Sequence, residues 1–339
     1  MDKKYELLTN DTIKVGFRTL YRIRSLKDFS IVNKGDLGGY VEKEDNLSHD
    51  GDCWVYERAK VWGNAEVYGN AKVFGDAKAY GSAMVRGNAE VCGDAEVCGN
   101  ARVCGDAEVS GYAMVRGNAE VCCNAMVYGD AEVYGNARVY GDAEVCGNAR
   151  VCGNAKVCGN AKVYGNAKVS GYARACGNAA VYNNTEVSGY AKVFGNAEVC
   201  DNSKVCDKAR VFGNANVFDN AKVCDRARVF GNAKVFGIAE VWGNADVCGN
   251  AMVYGIANIK DNGYISDTSH YITVGPIGSR DGYTTFYLTK DRSVYVSCGC
   301  FNGSINEFKD KVNETHKDNE RYRIDYLKTC RCVESILLD

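Results

Sequence analysis

Valine recurs at every sixth residue from Val55 to Val253 without one insertion, with only Ala79 and Ala175 replacing it in that column. Ile259 and Ile265 keep the step. Alanine stands four residues after each of these valines, with Thr185 and Ser203 as exceptions. Each hexad thus reads Ala-x-Val-x followed by Gly-Asn or Gly-Asp. Side chains alternate along a strand, so Ala and Val face one way and the variable positions face the other. Gly and Asn are the residues that best tolerate positive φ, which makes Gly-Asn the corner. Three short strands and three corners give an 18-residue triangular coil. The period therefore predicts a mainly β chain built as a left-handed parallel β-helix of hexapeptide repeats. About twelve coils stacked at about 4.8 Å make a rod of roughly 55 Å. A ladder of Gly-Asn hairpins is the rival, but hairpins do not require the same inward pair on every strand.

The rest of the composition fits an ordered, soluble chain. Gly is abundant at 38 residues, yet there is one Pro, and 46% of residues are hydrophobic. Disordered low-complexity chains combine Gly with Pro and are poor in apolar residues. The formal net charge of −2 describes neither a polyanion mimic nor a basic nucleic-acid coat. The opening MDKKYELL lacks the basic and apolar regions of a signal peptide, and no apolar run is long enough to span a membrane. A cytoplasmic protein is the expectation. Of 18 cysteines, 13 lie in the repeats, scattered among Tyr and Phe. That usage treats Cys as a small polarisable apolar residue and predicts reduced thiols. The hexad period excludes pentapeptide-repeat DNA mimics. The period and the missing Gly-Gly-x-Gly-x-Asp exclude a calcium-binding roll.

Function must sit in the changing letters. With 18 residues per coil, outward residues 18 apart stack in a row. One row carries six consecutive cations: Arg138, Lys156, Arg174, Lys192, Arg210 and Arg228. Two positions later run Tyr140, Cys158, Cys176, Phe194, Phe212 and Phe230. The other two rows mix signs. Stacked like charges repel, which a purely structural ladder avoids. Arg138, Lys156, Arg174, Lys192, Arg210, Arg228, Tyr140, Phe194, Phe212 and Phe230 are accordingly the candidate partner-binding face. Duplicated repeats that carry Lys and Arg along as solvated side chains are the plain alternative. The long outer aromatic rows also exceed what monomers usually expose, so self-association is kept as an expectation.

Catalysis finds little support. Acyltransferases with hexapeptide β-helices use a histidine on a coil, whereas this chain has only His49, His270 and His316, none between residues 55 and 259. A general base is therefore missing from the coils. An ice-binding face needs an array of Thr, and Thr185 is the only one among the repeats.

Both ends depart from the repeat, giving an N-terminal β cap (1–54), the β-helix (55–261) and a C-terminal α+β domain (262–339). Open coil ends expose unpaired strand edges, which a cap must cover. The stretch Gly38-Gly39-Tyr40-Val41, then Asn46-Leu47-Ser48, then Gly51 to Tyr56 resembles the lead-in to the repeats of YdcK-like hexapeptide-repeat proteins of bacteria and phages. The resemblance spans the cap and the repeats, about three quarters of the chain. It implies the acyltransferase-like fold with no assigned reaction, and a phage or mobile-element origin. The present repeats are far more regular than that family's.

In the C-terminal domain, HYITVGPIG, YTTFYLTKD and SVYVSCGCF read as three strands, with turns at Gly275-Pro276, Asp281-Gly282 and Asp291-Arg292. Ser304 to Glu307 form a capping box that opens a helix with Ile305, Phe308 and Val312 on its apolar face. A second helix is expected over 321–338. His270, Arg280, Asp281 and His316 are the candidate polar pocket. Cys298, Cys300, Cys330 and Cys332 are weak zinc candidates only, because metal turns favour Cys-x-x-Cys. No cofactor or metal is therefore expected. The resulting expectation is a non-enzymatic, rod-like scaffold that binds a protein partner, without nucleic acid or membrane. An oligomer that sequesters a small molecule or nucleotide is the alternative, and an acyltransferase-like enzyme the third reading.

Overall fold

The computed structural model describes residues 3–339, which fall into two compact units, one running to Asn183 and the other Asn184–Asp339. Within the first unit short strands pair in parallel with the strand 18 residues on. Lys72–Val73 lies between Trp54–Val55 and Glu90–Val91, and Arg138–Gly141 pairs with Lys156–Gly159. The second unit repeats the arrangement, as in Lys192–Gly195 with Arg210–Gly213 and Lys204–Val205 with Lys222–Val223. The fold is a parallel β-solenoid, and hairpin pairing is absent from the described coils.

The inward columns form the core. The coil valines and alanines are all but fully buried, as are Thr185 and Ser203 in the alanine column. The Ser203 hydroxyl donates to the Val217 carbonyl at 3.4 Å, so the polar intrusion is satisfied. Backbone bonds join successive coils at regular intervals: Lys72 N to Ala89 O at 2.9 Å, Phe74 N to Val91 O at 2.9 Å, and Asp76 N to Gly93 O at 2.8 Å. The corner asparagines form amide ladders. Asn100, Asn118, Asn136 and Asn154 bond in series in the first unit, and Asn196, Asn214, Asn232 and Asn250 do so in the second. Each amide inside a ladder is donor to one neighbour and acceptor from the other.

The first unit is capped by two long antiparallel strands, Tyr5–Val15 and Arg18–Ser25. A third strand, Leu37–Val41, is antiparallel to the second and parallel to Lys60–Val61, converting hairpin pairing into coil pairing. Beneath them Lys4 is wholly buried, its ammonium donating to the carbonyls of Gly51 (3.1 Å) and Cys53 (2.8 Å). Burial holds its pKa below the ordinary lysine value.

In the second unit the ladder runs on to Tyr264–Ile265, and the last coil's free N–H groups are met by hydroxyls. Thr268 Oγ1 accepts from Met252 N, the Tyr271 hydroxyl from Tyr254 N, and Thr285 Oγ1 from Asn258 N, all at 3.0–3.1 Å. Beyond lies an antiparallel sheet of four strands, Tyr271–Ile277, Gly282–Leu288, Val294–Cys298 and Phe301–Ser304, covered by helices Ile305–Thr315 and Glu320–Leu338. Two details differ from the sequence reading. Gly275-Pro276 is not a turn but a cis step inside the first strand, where the register with the second strand shifts. The segment SVYVSCGCF also continues past its Gly299 turn into a fourth strand. The capping box forms as expected: Ser304 Oγ accepts from Glu307 N, and Glu307 Oε2 accepts from Ser304 N.

Candidate functional site

On mixed-sign rows several charges cancel between coils, although Lys168 and Lys234 have no carboxylate within ion-pair distance among the described residues. Lys72 meets Glu90 at 3.0 Å, Lys78 meets Glu96 at 2.6 Å, and Lys162 meets Glu144 at 3.0 Å. In the second unit Lys204 meets Glu186 at 3.1 Å and Lys222 meets Glu240 at 2.9 Å.

The basic row differs in leaving cations unpaired on successive coils. In the first unit Arg138, Lys156 and Arg174 stack in register. Arg138 reaches back to Glu120 at 2.8 Å, while Lys156 and Arg174 have no carboxylate within ion-pair distance among the described residues. In the second unit Lys192, Arg210 and Arg228 stack in register. Arg228 forks onto Asp246, a buried carboxylate that Lys290 also reaches at 3.1 Å. Lys192 and Arg210 have no such partner among the described residues. Beside them Phe194, Phe212 and Phe230 form a face-to-face stack with centroids 4.9 and 5.0 Å apart. The Arg228 guanidinium sits 5.6 Å from the Phe230 centroid. The row's end members are therefore neutralised, a feature that Glu120 and Asp246 in the same column signal directly.

Next to Lys156 and Arg174 the flanking column is a disulfide, Cys158–Cys176, and the second unit holds Cys206–Cys224. This corrects the expectation of reduced thiols at these four positions. Stacking at the 18-residue step puts the Cα atoms of each pair 4.7 Å apart, within the span that a disulfide bridges. Cys92, Cys98, Cys104, Cys122, Cys123, Cys146 and Cys152 are thiols, as expected.

The four C-terminal pocket candidates do not converge. Arg280 and His316 share a cavity of about 570 Å³. Its floor is apolar (Ile277, Phe301, Phe308) and its rim also carries Lys311 and Tyr283. His316 caps the first helix and stacks on Tyr326 with centroids 5.6 Å apart. Burial pushes the Tyr326 phenol up to about 12, so it stays protonated as a donor, to the Ile277 carbonyl at 3.4 Å. No carboxylate lines this cavity among the described residues. Asp281 lines a separate cleft with Arg321 and Asp325. His270 lies apart in a short turn, its Nδ1 3.3 Å from Ser266 Oγ. Lys311 and Tyr326 escaped the sequence reading because only the helix–sheet packing brings them to Arg280.

The four zinc candidates do not gather either. Cys298 is half-buried at a strand end, Cys300 is exposed in the following turn, and Cys330 and Cys332 lie on buried and exposed sides of one helix.

A family model described as YdcK Beta solenoid repeat matches residues 131–147, the segment that carries Arg138 and Tyr140. This match and the stacked parallel coils are consistent with a YdcK-like repeat protein. No curated protein matches it. No helix among the described residues is long and apolar enough to cross a membrane.

Proposed function

We propose that this chain is a non-catalytic binding scaffold whose basic rows engage an acidic protein partner. The observation that carries the reading is the failure of charge cancellation at Lys156 and Arg174 in one unit and at Lys192 and Arg210 in the other. Lys72, Lys78, Lys162, Lys204 and Lys222 each find the opposing carboxylate on an adjacent coil. Cations held about 4.8 Å apart without counter-charges raise the local potential and favour an anionic surface laid along them. The adjoining Phe194–Phe212–Phe230 stack offers apolar area beside that charge. A host protein in a phage or mobile-element setting is the context that the family resemblance suggests.

Fluorescence anisotropy with labelled poly-glutamate, titrated at rising salt, tests this. Binding that weakens with salt, and that is lost in both Lys156→Glu/Arg174→Glu and Lys192→Glu/Arg210→Glu, is expected. Equal binding by the charge-reversed and unaltered chains would refute it, and preference for duplex DNA of equal charge would assign the rows to nucleic acid.

One observation favours a second reading. The acid-free cavity with Arg280, Lys311 and His316 over an apolar floor suits a small anion with an aromatic or aliphatic body. Co-purified small molecules released on denaturation, and lost in Arg280→Ala, support it; a ligand retained by that variant does not.

A further inference from the structure

One corner of the first unit breaks a rule that the others keep. Non-glycine corners with left-handed φ in the coils are Glu57, Asn183, Asp201, Asp207, Asp219, Asp225 and Asp261, plus Cys123 at φ 64°. Several of the acidic ones have a local reason. Asp219 Oδ2 accepts from Gly237 N at 2.9 Å, Asp225 Oδ2 from Gly243 N at 3.1 Å, and Glu57 Oε2 from Gly75 N at 3.1 Å. A thiol is a poor substitute for such a carboxylate, so Cys123 keeps a strained backbone without that return. Its neighbours supply a different one. Cys122 precedes it in the chain, so the Cys123 thiol is its immediate neighbour. Cys104 stands one coil away in the same outward column as Cys122. The ligand atoms of Cys104, Cys122 and Glu120 all lie within 4.8 Å of one another.

We infer that Cys104, Cys122, Cys123 and Glu120 form a binding site for a thiophilic divalent cation of the zinc class. Three thiolates and one carboxylate match the ligand types and the four-coordination that zinc prefers, with Zn–S near 2.3 Å. Such a sphere spaces its sulfurs below about 4 Å, so a small rotamer adjustment closes the separation of Cys104 and Cys122, with Cys123 brought in as the fourth ligand by the proposal. Charge is balanced as well. Four anionic ligands around a dication leave two negative charges, and two guanidiniums face them. Arg138 Nε donates to Glu120 Oε2 at 2.9 Å, leaving Oε1 for the metal, and Arg86 stands one coil before Cys104 in the same outward column. The thiols are partly or fully exposed, so an ion enters without unfolding the coil. The other three-residue cluster, Cys206, Asp207 and Cys224, has its two sulfurs joined to each other and serves as an internal comparator.

The test is anaerobic titration of the reduced, metal-stripped full-length chain with Co²⁺, read by thiolate-to-cobalt charge-transfer absorption and displacement by Zn²⁺. A saturable band is expected that persists in Cys206→Ser/Cys224→Ser and vanishes in Cys104→Ser/Cys122→Ser. Cys123→Gly restores the usual corner residue, so it should weaken cobalt binding while raising the thermal midpoint. Serine stands at equivalent outward positions in Ser110 and Ser170, so the double variant keeps the fold. No charge-transfer band, or a band indifferent to Cys104→Ser/Cys122→Ser, would overturn the assignment. So would a Cys123→Gly chain that binds cobalt as tightly as the original.

Discussion

Gly237 and Gly255 occupy one corner column on successive coils, and substituting alanine at each separates two costs that corners usually combine. Both have positive φ, +73° and +68°. A Cβ at Gly237 meets Gly255 N at 2.9 Å and O at 3.0 Å, whereas a Cβ at Gly255 meets nothing within 4 Å. Left-handed φ costs a residue with a Cβ about 1–2 kcal/mol. Gly255→Ala should incur that cost alone. Gly237→Ala adds contacts inside van der Waals separation with the next coil's backbone, which has to move, bringing the total to about 2–4 kcal/mol. Gly237→Asp should recover much of this. Aspartate tolerates the conformation, and its carboxylate can accept from Gly255 N as Asp219 accepts from Gly237 N. The unaltered chain should therefore be the most stable, followed by Gly237→Asp and then Gly237→Ala. Gly255→Ala should also stand above Gly237→Ala. Urea unfolding followed by circular dichroism reads the order through the midpoints. Equal losses for Gly237→Ala and Gly255→Ala, or a Gly237→Asp chain no more stable than Gly237→Ala, would refute the reasoning.

Two further outcomes follow from the end of the second unit. Thr285→Val keeps the shape of a buried side chain but removes the acceptor of Asn258 N, and should cost about 1–3 kcal/mol by the same unfolding assay. The buried Cys330 thiol is raised from an ordinary 9.0 to about 11, chiefly by burial. The unfolded chain therefore loses this proton first, and the stabilisation is full below pH 9 and is lost as pH rises towards 11. Cys330→Ala should flatten the alkaline fall in thermal midpoint over that window; an unchanged slope would contradict the assignment.

How much of this could be read from the sequence follows from which residues repeat. The Val and Ala columns sit on a fixed period, so their burial and the parallel pairing were legible one residue at a time. The stacking of Arg138 on Lys156 was legible from the same 18-residue step. The step aligned Cys158 with Cys176 and Cys104 with Cys122 alike, yet only the first of these pairs is joined, so the period alone does not decide oxidation. Outside the repeat the period gives no help. Gly275-Pro276 has turn composition, yet the shifted register of the sheet absorbs it within a strand. His270 and Asp281 are near Arg280 in sequence, but strand alternation and a turn send them elsewhere. His316, distant in sequence, joins Arg280 because the helix it caps packs over the sheet. Nothing in MDKKYELL marks Lys4 for burial; its carbonyl partners come from Gly51 and Cys53, beyond the strands of the cap.

The central claim is that Lys156 and Lys192 are held without counter-charges for a partner to engage. Lysine acylation footprinting with and without saturating poly-glutamate, read by mass spectrometry, tests it at single residues. Protection concentrated at Lys156 and Lys192, with Lys162, Lys204 and Lys222 unchanged, is the predicted result. Protection of the ion-paired lysines instead, or of none, would contradict it.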